Sequence, residues 1–482
     1  MTRPALATLQ AEIAALRPEH AVGRVAAIDG NLLRLTGLSA RARLGDMLRL
    51  PRPGAPPLWG EVLTLTPDHV TMLPDEPPAG VALGQRVLLE QAGGIAPDAS
   101  WIGRIVDPSG RALDGRPILR GAAARPLVAP PPAPAARRVL GERLETGMAV
   151  FNTLLPVVRG QRVGLFAGSG VGKSSLLGQL GRHMQADVVV FALIGERGRE
   201  LREFTETVLG PGGMHRSVVV AATSDRSPLV RRRCAWTAMA VAEHFRDEGA
   251  HVLLLADSVT RFAEAHREIA IAAGELPALR GYPASTAHQI MTLAERAGPG
   301  PEGAGDITAL FSVLVAGSDM DEPVADILRG VLDGHVVLDR AIAERGRYPA
   351  IDLLRSVSRS LPRAANAEEN ALIRRARGLL GAYARSEMMI RAGLYAEGSD
   401  PELDMALRVH AELDAFLSEP ETVSARTSFD RLALILRRAG SSAGWGDAGQ
   451  GRTHPGRTAG RTASPPADPL DARAGAAMPS PG

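Results

Sequence analysis

Ala167-Gly168-Ser169-Gly170-Val171-Gly172-Lys173-Ser174-Ser175 is the stretch that decides how this chain is read. Among the 55 lysines and arginines of the 482 residues, Lys173 is the one lysine. A composition that uses arginine everywhere else keeps a single ammonium between glycines and serines. Arginine is a planar fork, whereas lysine is a compact charge on a flexible stem that slides between the oxygens of two adjacent phosphates. The glycines let the backbone curl so that successive N–H groups face an anion, and Ser174 is placed to ligate magnesium. The flanks agree: Arg162-Val163-Gly164-Leu165-Phe166-Ala167 predicts a short buried strand before the loop, and residues 174–180 a helix after it. The stretch reads as a Walker A phosphate loop that opens with Ala167 where glycine is usual.

Working outward, the length suggests about three domains. The formal charge is only +2 and both signs are interspersed, so no basic stripe argues for duplex nucleic acid. No apolar run approaches the roughly 20 residues needed to span a bilayer, and no signal-peptide pattern opens the chain, so a soluble, intracellular protein is expected. The one cysteine, Cys234, excludes an internal disulfide and reads as core filler on the helix around Trp236.

Leu6, Leu9, Ile13 and Leu16 recur at helical spacing, predicting an amphipathic helix over 1–18 that is short enough to need a docking partner. Residues 19–92 switch to short alternating stretches at 22–25, 32–35, 47–50, 70–73 and 86–89, the pattern of a small β-barrel. A proline-rich connector over 125–138 has no capacity for its own core and wraps or links. Apolar strands then alternate with helical stretches, at 188–194, 218–222, 251–256 and 307–315, implying a mostly parallel sheet in a domain over 93–362. Residues 363–438 are rich in Ala, Leu, Arg and Glu and predict a helical domain. Residues 439–482 cannot bury enough apolar area to offset chain entropy, so a disordered tail is expected.

Hydrolysing a phosphoanhydride takes a phosphate cradle, a metal, a polarised water and positive charge at the transition state. His251-Val252-Leu253-Leu254-Leu255-Ala256-Asp257 is a buried strand ending in an acid, the Walker B arrangement that holds magnesium through water. The competing reading makes Asp257 a cap for the helix that follows. Glu196 ends the strand that begins at Val188 and stands in Gly195-Glu196-Arg197-Gly198-Arg199-Glu200. It is placed to orient and deprotonate an attacking water, or equally to pair with Arg197 or Arg199.

The phosphate loop from Ala167 to Ser174 and Gly195-Glu196-Arg197-Gly198-Arg199-Glu200, together with Leu253-Leu254-Leu255-Ala256-Asp257-Ser258-Val259-Thr260-Arg261-Phe262 and Pro349-Ala350-Ile351-Asp352-Leu353-Leu354-Arg355-Ser356-Val357-Ser358-Arg359, resemble the catalytic subunits of the rotary ATPase family. Gly198-Arg199-Glu200, Asp321-Glu322-Pro323-Val324-Ala325-Asp326 and Gly398-Ser399-Asp400-Pro401 are similar, within it, to the branch of flagellar protein-export ATPases. The resemblance covers residues 20 to 435 and implies a multi-domain architecture: an N-terminal β-barrel, a RecA-like α/β core and a C-terminal α-helical domain. It implies Glu196 as the catalytic glutamate, Lys173 and Arg261 beside the γ-phosphate, Tyr348 stacked on adenine, and Arg197 among the nucleotide-binding residues. Arg359 matches the arginine finger that reaches a neighbour's site, which implies a homohexamer. ATP and Mg2+ are the implied cofactors. The implied partners are a stator-like regulatory protein on the N-terminal helix, membrane proteins of the export gate and chaperone–substrate complexes, at the cytoplasmic face of that gate.

The chain departs from the family's usual wording at Pro283-Ala284-Ser285-Thr286-Ala287-His288-Gln289-Ile290-Met291, at Ala256 and at Ala316-Gly317-Ser318-Asp319, none of which removes a phosphate ligand. The ATPase of a virulence-type secretion system shares the core motifs and is the near alternative. A ring helicase or RNA translocase would need exposed aromatics in the N-terminal module. Only Trp59 stands out there and aromatic content is 4%, so no nucleic-acid partner is expected. A non-hydrolysing α-type paralogue would have no need of Glu196.

Overall fold

The computed structural model describes residues 10, 11, 13, 19–90, 94–315 and 320–440. Of the expected N-terminal helix, Gln10, Ala11 and Ile13 are helical and Ile13 is 60% exposed; Leu6, Leu9 and Leu16 lie outside the described residues. So do 316–319 and 441–482, and with them the expected tail beyond Gly440.

The first six strands are β1 (Ala21–Asp29), β2 (Leu32–Thr36), β3 (Met47–Arg52), β4 (Ala55–Leu65), β5 (Val70–Pro74) and β6 (Arg86–Leu89). They close into an antiparallel barrel in the order β1-β2-β5-β4-β3-β6. Alternation fills it: Leu33 and Leu35 point inward from β2, and Leu58 and Val62 from β4. The barrel is tied to the core by Glu61 of β4, whose carboxylate lies 2.7 Å from Arg232 and 3.4 Å from Arg233.

The central sheet is built from β7 (Arg104–Val106), β8 (Arg162–Ala167), β9 (Val188–Glu196), β10 (Ser217–Thr223), β11 (His251–Asp257), β12 (Asp306–Leu314), β13 (Gly334–Leu338) and β14 (Ile351–Ser358). Their order is β14-β13-β8-β12-β11-β9-β10-β7, with every neighbouring pair parallel except β13 and β14; Gly298–Pro299 adds a short antiparallel partner to β12. Because parallel strands are covered on both faces, they read as continuous apolar runs. Residues of β9 alternate between two cores: Val189, Phe191 and Leu193 face one, and Val188, Val190 and Ile194 the other.

The covering helices are α1 (Lys173–His183), α2 (Pro228–Asp247), α3 (Val259–Ala272), α4 (Ser285–Arg296) and α5 (Pro323–Val331). Cys234 sits fully buried in α2, where burial pushes its thiol pKa up. Arg296 of α4 is 2% exposed and meets Glu243 of α2 through two hydrogen bonds of 2.8 and 2.7 Å, while a third goes to the Leu127 carbonyl of the connector. Removing one partner of such a pair costs about 3–5 kcal/mol. The connector therefore wraps the core: Arg137 and Arg138 also donate to Ala297 and Gly300 carbonyls.

The C-terminal helices are α6 (Ala367–Arg391), α7 (Pro401–Phe416) and α8 (Ala425–Gly440). Asn366 and Glu369 form a capping box on α6, and Asp400 caps α7 with Pro401 in its first turn. Their apolar faces, through Ile373, Leu379, Phe416 and Leu432, belong to the same hydrophobic cluster as Val189 and Leu193 of the sheet. The helical segment thus continues the core rather than sitting apart from it. Among the described residues no helix is long and apolar enough to cross a membrane.

Candidate active site

Parallel strands deliver their C-terminal ends to one edge of a sheet, and there the crossover loops can surround a ligand. That edge carries Ala167 from β8, Glu196 from β9 and Asp257 from β11. Ala167 is a regular strand residue packed into the core, which is why a methyl group is accepted where the motif usually has glycine. The chain then turns through Gly170 and Gly172, with φ of 77° and 85°. At Gly172 a side chain would be strained by φ, and its Cβ would come within 3.0 Å of the Tyr348 ring. Gly172 caps α1, so Lys173, Ser174 and Ser175 form the first turn of a helix whose free N–H groups point at the loop.

Lys173 reaches across to contact the carboxylate of Asp257, to which Ser312 of β12 also donates at 2.7 Å. The register explains this: Leu165 of β8 is level with Ser312, and Ala256 of β11 with Phe311. One strand therefore stands between loop and acid and inserts its hydroxyl beside both. The helix that follows is capped by Ser258, whose side chain accepts from the Arg261 N–H, so Asp257 is not the cap.

Glu196 is placed by a bulge. Ile194 pairs with Ala222 and Glu196 with Thr223, leaving Gly195, at φ 73°, unpaired between them. The bulge re-aims the terminal side chain of the strand. Arg197 turns away and lies 3.3 Å from Glu200, with three-quarters of its side chain exposed. Glu196 instead shares a hydrogen bond with Glu200, and its pKa is raised to about 7 by burial first and by the charge of Asp257 second, with Lys173 opposing. Arg261 packs beside Gly195, its Cγ 3.4 Å from where a Cβ would stand, and pairs with Glu264 at 2.9 Å.

Ser174, Ser175, Glu196, Glu200 and Asp257 line one cleft of about 200 Å3. A hydroxyl and carboxylates are the hard oxygen donors that suit Mg2+. Among the described residues no group of three or more His, Cys, Asp or Glu gathers as a metal site. Tyr348, 52% exposed, lies over the loop at Gly172.

Arg359 is not in this cleft. Ala167 is level with Leu338, but Ser358 is level with Gly334, four residues back along β13. At about 3.3 Å per residue that is roughly 13 Å toward the opposite edge of the sheet. There Arg359 donates to the Arg329 carbonyl at 3.2 Å. Two residues escaped the sequence reading. Ser312 left a signal, a hydroxyl inside an otherwise apolar strand; Glu200 left none beyond its place in the motif.

A phosphate loop and an acid on strands separated by a third, with a carboxylate on the next strand, define a P-loop nucleotide-hydrolysing ATPase. The model of the ATP synthase alpha/beta family, nucleotide-binding domain, matches residues 147–358, and that of the T3SS EscN ATPase C-terminal domain matches 365–433. The flagellum-specific ATP synthase of Caulobacter vibrioides is 44% identical over 439 residues, covering 89% of this chain and 99% of the relative. That of Salmonella typhimurium is 43% identical, covering 90% and 97%. The assembled ATPase EscN of the enteropathogenic E. coli type III secretion system superposes with a TM-score of 0.79 at 36% identity, covering 86% of this chain and all of EscN. The chain belongs to the flagellum-specific ATP synthase family, ATPases of type III protein export.

Proposed function

We propose that this ATPase works as a homohexameric ring at the cytoplasmic face of a flagellar export gate, using ATP with Mg2+ to release, unfold and export flagellar proteins. The convergence of Lys173, Ser174, Asp257 and Glu196 at one sheet edge carries this reading. Ala167 to Ser175 cradle the phosphates; Lys173 neutralises charge on the transferred group; Ser174 and Asp257 are the residues that would hold the ion, which supplies charge at the phosphate oxygens when bound. Glu196 takes the proton of the attacking water with Arg261 beside it near the γ-phosphate, and Arg197, the next residue in the chain, belongs to the nucleotide-binding set. Tyr348 stacks on the base, and Arg359 completes the site of a neighbour. Ring assembly is supported by the assembled EscN, solved also with its central stalk EscO. The 39–45% identity to flagellum-specific relatives, against 36% to EscN, favours the flagellar system over a virulence-type one.

Glu196→Gln keeps shape but accepts no proton. It is expected to bind ATP with near-unchanged affinity while turnover falls at least about 100-fold; ordinary hydrolysis by this variant would place the base elsewhere. The N-terminal helix is assigned to a regulatory, stator-like partner, in line with the exposure of Ile13. Deleting residues 2–18 is expected to abolish capture by that partner in a pull-down and leave basal ATPase activity intact; capture that survives the deletion rejects the assignment. Export-gate membrane proteins and chaperone–substrate complexes are the remaining partners of this reading.

A further inference from the structure

The segment that carries Tyr348 is held from below by the C-terminal helices. Tyr383 of α6 and His410 of α7 stack with ring centroids 3.4 Å apart and planes 17° from parallel. Residues four apart share a helix face, so Glu387 lies on the face of α6 that carries Tyr383, and Asp414 on the face of α7 that carries His410. Both carboxylates meet arginines of one short segment: Arg345 stands 3.7 Å from Glu387, and Arg347 Nε stands 3.1 Å from Asp414 Oδ1. The side chain of Arg347 is 10% exposed, and its Nη2 donates back to the Ile351 carbonyl at 2.8 Å, closing a turn around Tyr348. Among the described residues its Nε and Nη1 have no hydrogen-bond partner, so the contact with Asp414 is one of charge without alignment. Tyr348, the next residue, lies on Gly172 of the phosphate loop.

We infer that Asp414 is a positioning residue for the nucleotide base: through Arg347 it holds the Tyr348 turn at the height the base needs, and so links the packing of α6 and α7 to nucleotide affinity. A guanidinium buried this deeply needs a counter-charge, and Asp414 is the carboxylate that stands nearest it. Removing that charge frees the turn, and the ring loses its fixed place over the loop. The chemical step is untouched, because Glu196 and Asp257 end strands of the sheet and Lys173 opens α1, none of them on the Tyr348 turn.

The inference rests on the proposed stacking of Tyr348 on the base, and one set of steady-state measurements on the full-length protein separates the two. Tyr348→Ala is expected to raise KM for ATP about 5-fold, the worth of one aromatic contact. Asp414→Asn is expected to raise KM to a similar extent with kcat within about 2-fold of the parent, and Asp414→Glu to restore KM. In the Tyr348→Ala background, Asp414→Asn adds nothing further. If Tyr348→Ala leaves KM unchanged, the base-stacking reading fails and takes the inference with it. If Tyr348→Ala raises KM but Asp414→Asn does not, or the two effects multiply, or Asp414→Asn lowers kcat instead, the inference alone is overturned. Asp414 is 40% exposed, so the asparagine variant leaves the core intact.

Discussion

Glu196 shows how a single residue is tuned by where its strand ends. Burial and the neighbouring Asp257 raise its pKa from 4.5 to about 7, with Lys173 pulling the other way. A base must be ionised to take a proton, so kcat/KM for ATP, which reports the free enzyme, is expected to rise with pH through a limb near 7 and level off above it. The stability linkage has the opposite sense. A folded-state pKa above the unfolded one favours the protonated form, so this contribution is whole below about 4.5 and is lost as pH rises through about 7. Glutamine cannot ionise; the nucleotide-free Glu196→Gln protein is therefore expected to melt above its parent at pH about 8, with the gap closing toward pH about 5. A pH-independent gap, or a flat kcat/KM profile between about pH 5.5 and 8.5, would contradict the assignment of this carboxyl as the base.

Among the elements, those buried on both faces were the most legible. The strands ending at Ala167, Glu196 and Asp257 stand where unbroken apolar runs placed them, because covered parallel strands leave no room for polar side chains. β4 was missed although it is the longest strand of the barrel at 11 residues. Its opening Ala55-Pro56-Pro57 reads as a breaker, yet prolines are accepted at the start of a strand, where no ladder N–H is required, and alternation begins only at Leu58. The choice between ion pair and base at Glu196 was open in the sequence because the bulge at Gly195 depends on pairing between β9 and β10, a long-range fact. Asp257 was ambiguous for the same reason: Ser258 takes the cap and Ser312 arrives from a strand more than fifty residues away. The one-core packing of the C-terminal helices was equally hidden, since composition alone does not say which face a helix buries.

For the whole molecule, the decisive fact is that β14 runs against β13. An antiparallel last strand carries Arg359 away from the edge where its own chain holds phosphates, by roughly 13 Å along the sheet. No side chain rotation returns it, so the proposed role of Arg359 is one toward the phosphates of a second copy, added to the charge that Lys173 supplies within its own chain. The proposal for Arg359 rests on the family resemblance, because one arginine among many has no signal of its own. In mixed rings the arrangement becomes countable. A Lys173→Ala subunit lacks a working loop but offers Arg359; an Arg359→Ala subunit has the loop but offers nothing to its neighbour. Each variant by itself is expected to stay near background. In randomly mixed rings at equal amounts, a site works when an Arg359→Ala subunit sits next to a Lys173→Ala subunit on the correct side, which is about a quarter of all sites, so ATPase activity is expected to recover to about a quarter of the parent's. Failure to recover while tagged copies of both variants co-purify as rings would show that Arg359 does not act across the interface, and ordinary hydrolysis by Arg359→Ala alone would show that the site is complete within one chain.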